Sequence, residues 1–214
     1  MSESSDLPRA AGVLRASEAP DSSDRHRASV LRPRGSSRRL FPLTELLGVQ
    51  VPEVERIFDG DADDMPDPYR RLLVHPRDMT STLERFHGEP PCLDPIRRQR
   101  RSSSLWREVL LRGERTGRVM EYGAIRIELG AFDADARWQV LEGRKPLGAI
   151  LAEYRLTYES RPRRYFALWS NPRLEEHLGL PGRTLLYGRQ NVLEGETGTI
   201  ADVVEILPPT GPRR

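Results

Sequence analysis

From Pro90 onward apolar and polar residues alternate with a period of two, most densely in "LWREVLL", Leu105 to Leu111. A period of two sends successive side chains to opposite faces of a strand. Arg107 therefore falls with Leu105, Val109 and Leu111, while Glu108 falls with Trp106 and Leu110. Whichever face is the core, one charge enters it. The same pattern predicts strands over 93–100, 104–112, 118–128, 153–159, 163–169, 184–193 and 198–207, with Gly-containing hairpin turns at 112–117 and 194–198.

Between these runs the period lengthens. "RDMTSTLERFHG" predicts a helix over 79–87, with Ser81 and Glu84 at capping-box spacing and Gly88 at its stop. "YRRLLVH" predicts a helix broken by Pro76. "AFDADARWQVLEGRKPLGAIL" reads as a helix, a Gly turn and a second short helix opened by Pro146. "NPRLEEHLG" (171–179) reads as another, with Pro172 at its start and Gly179 at its end. Hairpins with inserted helices imply an α+β domain around a mainly antiparallel sheet.

Before that domain the pattern is weak. Residues 1–40 hold no aromatic residue and are rich in Ser, Arg, Pro and Ala, which predicts a disordered tail. Residues 41–60 predict one or two short helices, and 59–68 a linker, so that 41–68 form a short helical segment and linker. The folded domain is expected over 69–209, with 210–214 a C-terminal tail. "DGDADDMPDP" lacks the glycine and glutamate spacing of an EF-hand and reads as a solvated turn.

Composition changes this picture little. The chain of 214 residues has 37% hydrophobic and 31% charged residues and a net charge of +2, ordinary values for one soluble domain. Lys145 is the only lysine, so arginine clusters such as "RRQRR" (97–101) reflect a general bias and read as a solvated face or strand edge. No nucleic-acid partner is expected. Cys92 is alone, which excludes an internal disulfide and a multi-cysteine metal site. Neither a secretory leader nor a ~20-residue apolar span is visible, and a cytoplasmic location is the expectation. A Gly-rich phosphate loop, G-x-S-x-G and paired histidines at metal spacing are missing from the sequence. His75, His87 and His177 fall on different elements and read as surface or packing residues.

Two charges on apolar strand faces remain: Arg107, and Glu205 in "ADVVEILPP", which shares a face with Ala201, Val203 and Leu207. One reading is a buried salt bridge between them, since buried charges need partners. The other is an internal pocket, with Arg107 holding a ligand carboxylate by a two-pronged contact and Glu205 accepting a hydrogen bond from a ligand hydroxyl.

In order, the chain carries "DMT…LERF" (78–86), "LWREVLL" (105–111), "KPLGAIL" (145–151), "LYGRQNVL" (186–193) and "VVEILPP" (203–209). This series resembles the chorismate lyase (chorismate–pyruvate lyase) family, with its Met-Thr helix start, W-L-R-E-[IV]-x-L, T-P-L-G, L-W-G-R-R and T-E-x-F-L-P. The likeness covers roughly Tyr69 to Pro209. It implies a six-stranded antiparallel sheet with helical flaps over an internal ligand pocket. It also implies a lyase that eliminates pyruvate from chorismate to give 4-hydroxybenzoate, without metal or cofactor, serving ubiquinone synthesis or a specialised metabolite in a bacterium. Carried over by motif, the catalytic residues would be Arg107, on the ring carboxylate, and Glu205, facing the 4-position oxygen. Met79 and Leu147 would supply backbone contacts, and Arg189 ligand contact or support.

Three departures stand beside the likeness. The arginine of the family's Gly-Arg-Thr strand falls by spacing on Ala124, with Glu121 or Arg126 as possible substitutes. The segment 154–185 is longer than in the compact version, and residues 1–68 have no counterpart in the minimal lyase. The same fold also serves as the sensing domain of a transcription-regulator family. The alternative expectation is therefore a non-catalytic protein that binds or senses a small aromatic carboxylate.

Overall fold

A computed structural model describes residues 40–48, 52–58 and 60–210. The tail predicted for 1–40 lies, except for Leu40, outside the described residues, and so do residues 211–214. Seven strands form one antiparallel sheet: β1 (Glu53–Phe58), β2 (Pro91–Arg101), β3 (Ser104–Gly113), β4 (Val119–Glu128), β5 (Tyr158–Trp169), β6 (Leu185–Gly195) and β7 (Gly198–Leu207). Their spatial order is β1-β5-β6-β7-β4-β3-β2. The helices are α1 (Leu43–Leu47), α2 (Tyr69–Leu73), α3 (Met79–His87), α4 (Ala134–Glu142), α5 (Leu147–Glu153) and α6 (Pro172–Leu178).

The α+β class stands, and the count of six strands is corrected to seven. Glu53–Phe58, expected as helix, instead pairs antiparallel with β5 at the sheet edge. The expected strands 153–159 and 163–169 are one strand, β5, beginning at Tyr158. Its ladder shifts register between Pro162 and Arg164, because proline has no N–H to donate. Residues 153–157 close α5 and lead into it. The arginine run 97–101 lies on edge strand β2, where most of its side chains stay exposed.

Helix ends follow local chemistry. Asp78, not Ser81, caps α3: its carboxylate accepts from the Ser81 N–H at 2.8 Å. Asp133 and Asn171 cap α4 and α6 in the same way.

The sheet is buried on both faces. On one, Trp106, Leu110, Tyr122, Ala124, Phe166, Val204 and Ile206 pack against Leu43, Leu46 and Leu47 of α1 and Leu174 and Leu178 of α6. The opposite face is covered by α2 and α3 toward one end and by α4 and α5 toward the other. Helix α1 and strand β1, on the N-terminal side of Tyr69, thus belong to the same core and sheet as the rest.

Candidate functional site

The strand register sets the site. Arg107 on β3 lies opposite Ile125 on β4, which lies opposite Val203 on β7, which lies opposite Asn191 on β6. One step along, Val109, Gly123, Glu205 and Arg189 form the next row. Their side chains share one face and, with Glu121 and Leu93, floor an internal cavity of about 80 Å³. The roof is the start of α3, with Met79, and the start of α5, with Leu147, so five sequence-expected residues, Met79, Arg107, Leu147, Arg189 and Glu205, line one cavity. At Gly123 the floor is open: an added Cβ would meet Val109 at 3.1 Å and the Glu121 carboxyl at 3.3 Å.

The expected charge pair does not form as drawn. Glu205 is held by Arg189, its direct cross-strand neighbour, through Nε and, at 3.4 Å, through Nη2. The remaining Arg189 N–H groups donate to the carbonyls of His75 at 2.8 Å, Leu73 at 3.3 Å and Arg77 at 3.2 Å. Burial works against its charge, but Glu205 more than offsets this and holds its pKa above the ordinary value. Arg189 therefore ties the segment before α3 to the sheet and steadies Glu205. The preceding Gly188 permits this, since a Cβ there would lie 2.5 Å from the Glu205 carbonyl oxygen.

Among the described residues Arg107 is left without a partner. It is 3% exposed, and its Nε and Nη1 make no hydrogen bond. Burial lowers its pKa to about 10, which leaves it cationic at neutral pH. Glu121, 4% exposed, has an unpartnered Oε2. Burial first, then the negative charge of Glu205, push its pKa well above the carboxylate range, against the opposing pull of Arg189. Asn191 donates to Ser160 Oγ at 2.9 Å while its own Oδ1 has no partner. Of six buried side-chain polar atoms without a partner among the described residues, four belong to Arg107, Glu121 and Asn191 and line this one cavity. Buried polar atoms are satisfied in nearly every native site, so this concentration singles out the cavity as the candidate site.

His75 sits behind Arg189. Its Nε2 lies 2.8 Å from the Leu72 carbonyl, which requires Nε2 to donate and leaves Nδ1 to face Arg189 at 3.4 Å. Burial and then Arg189 lower its pKa to about 4. It is a packing residue, as the sequence suggests, but one that helps hold the site.

Ala124, where spacing put a family arginine, points to the other face, into the core with Trp106 and Tyr122. An arginine there would not reach the cavity. Arg126 shares that face and pairs with Asp202 at 2.8 Å. Of the two expected substitutes only Glu121 faces the cavity; alternation separates it from Arg126, and the register with β3 shows which side is the cavity. Asn191, inside "LYGRQNVL", and Tyr158 also line it, and neither stands out in the sequence. Glu108 is separate: it accepts from Arg173 at 2.6 and 2.8 Å and from Tyr122 at 2.6 Å on the opposite face.

No protein-family model matches the chain, and no curated protein does. Among solved structures, the crystal structure of PhnF from Mycobacterium smegmatis is similar, with a TM-score of 0.50 and 10% identity over 64% of this chain. The match spans 65% of that chain, just under two thirds of its length. The likeness is one of fold, and the antiparallel sheet with its helices is compatible with a chorismate lyase-like fold. No helix of the described residues is long and apolar enough to cross a membrane.

Proposed function

We propose that the cavity takes a small aromatic carboxylate on Arg107, and that the protein eliminates pyruvate from chorismate to leave 4-hydroxybenzoate. The observation that carries this is the buried guanidinium of Arg107, unpartnered among the described residues, in a pocket roofed by α3 and α5. Burying a cation costs several kcal/mol when nothing pairs with it, and a ligand carboxylate gripped through two N–H groups offsets that cost. The identity of the anion rests on the ordered motifs that resemble the chorismate lyases.

In the proposed reaction the enolpyruvyl carbon–oxygen bond to the ring breaks. The hydrogen on the neighbouring ring carbon moves to the enolpyruvyl methylene, which becomes the methyl of pyruvate, and the ring aromatises. Atoms balance within the substrate. The protein's part is to fix the ring carboxylate at Arg107, hold the reacting end against Glu205 and exclude water under α3 and α5. Arg189, its donors engaged by protein acceptors, acts by keeping Glu205 in place.

Purified protein incubated with chorismate should release pyruvate and 4-hydroxybenzoate in equal amounts, each followed separately. Neither product above background would sink the lyase proposal, and 3-hydroxybenzoate would overturn its regiochemistry. A second reading, a binding or sensing protein for such a carboxylate, is favoured by two observations. The cavity is small, and Arg189 has no donor left for the second carboxylate of chorismate. Tight 4-hydroxybenzoate binding without turnover would establish it.

A further inference from the structure

Glu121 has no role in the charge arrangement described above, yet it is buried, faces the cavity and has an oxygen without a partner. Its place along the sheet is informative. Glu121 lies opposite Leu111 on β3, four residues beyond Arg107, or about 13 Å along the strand direction at ~3.3 Å per residue. Glu205 lies between these levels, opposite Gly123. Along the floor of the cavity Arg107 stands at one end, Glu121 at the other and Glu205 midway between them. A flat ring with its carboxylate on Arg107 would direct its far substituent toward both acids.

The groups around Glu121 decide its protonation. From β7 it faces Glu205, and from β6 Arg189, whose cation is already engaged by Glu205. Strand β3 contributes Val109 and Leu111 near it and Arg107 at the far end, β2 contributes Leu93, and β5 contributes Tyr158. Asp78 at the start of α3 adds a further acid, and α5 adds only Pro146, Leu147 and Gly148. Two carboxyl groups buried in one site, sharing one guanidinium, do not both ionise. Glu205 has the guanidinium, so Glu121 takes the proton.

We infer that Glu121, as a neutral acid, selects ligands with a hydroxyl at the end opposite the carboxylate, donating to that hydroxyl while the hydroxyl donates to Glu205. A hydroxyl can accept and donate at once. An ether oxygen or a hydrogen cannot do both, and a second carboxylate there would be repelled by Glu205. This rests on the carboxylate-binding reading above and adds what the pocket requires at the far end.

The test is calorimetric titration of the whole protein with two probes, 4-hydroxybenzoate and benzoate, from pH 6 to 9. Glu121→Ala should weaken 4-hydroxybenzoate about three- to tenfold, the range for one net hydrogen bond, and change benzoate less than about twofold. Glu121→Gln keeps a neutral donor and should retain most of the affinity at pH 7. Where the parent loses 4-hydroxybenzoate affinity as Glu121 deprotonates at high pH, the Gln variant should lose less. Equal losses for both probes would make Glu121 a packing residue and overturn the inference. So would a large gain for both probes in Glu121→Gln at pH 7, because that would show an ionised Glu121. Binding of 4-hydroxybenzoate that ignores both substitutions would overturn it while leaving the carboxylate pocket intact. Failure of the parent to bind either probe would overturn both.

Discussion

Replacing Arg107 with methionine should make the empty protein more stable and unable to bind its ligand. The side chain is 3% exposed and has no counterion among the described residues. Burial lowers its pKa from the ordinary arginine value to about 10, and each unit is worth ~1.4 kcal/mol. The fold therefore bears on the order of 3 kcal/mol to keep this group charged. The folded value lies below the unfolded one, so that cost is present at every pH below about 10 and is relieved only as pH rises through it. Methionine fills similar space without charge, and exchanging buried charges for apolar groups can gain 1–4 kcal/mol. For a domain of this size, 2–3 kcal/mol corresponds to a rise in Tm of roughly 4–12 °C. Denaturant melts of both proteins without ligand measure the gain. A titration with 4-hydroxybenzoate should show the parent stabilised by about 2.7 kcal/mol at a hundred times its Kd, and the variant not at all. A methionine variant less stable than the parent by 1 kcal/mol or more would refute the reasoning, because Arg107 would then hold the fold together rather than await a ligand.

Two further outcomes test the surroundings of the site. Arg173→Met should cost about 2–3 kcal/mol in urea melts and leave 4-hydroxybenzoate binding unchanged. It strips a fully buried Glu108 of its cation, and the loss stays below the 3–5 kcal/mol of a wholly buried pair because the Arg173 side chain is 30% exposed. The pKa of His75 is about 4 when folded and 6.5 when not, so protons favour the unfolded chain and stability should fall as pH drops from 6.5 toward 4. His75→Gln should flatten that part of the pH profile in denaturant melts, and an unchanged slope would show that other groups cause it.

Much of the sheet was legible because hairpin strands announce themselves locally. Alternation located β3, β4, β6 and β7 to within a residue or two, and Gly88, Pro146 and Gly179 marked helix ends where φ or a missing N–H requires them. Glu53–Phe58 was not legible as a strand. Its partner β5 lies more than a hundred residues away, and its charged edge side chains hide the period. The residues 153–169 were misread as two strands because Pro162 interrupts the local pattern while the ladder to β6 continues past it.

For the site, the sequence alone determined that Arg107 and Glu205 lie on apolar strand faces and that Glu108 lies on the face opposite Arg107. Those facts follow from a two-residue period and need no knowledge of packing. Only the tertiary structure decided which charges meet. Cross-strand register sets Arg189 beside Glu205 and leaves Arg107 two strands away from it, opposite Ile125. Pairing in a sheet depends on strand order and register across the whole chain, whereas the face a residue occupies depends only on its neighbours. That difference turns an apparent Arg107–Glu205 salt bridge into a paired acid and an unpaired buried cation.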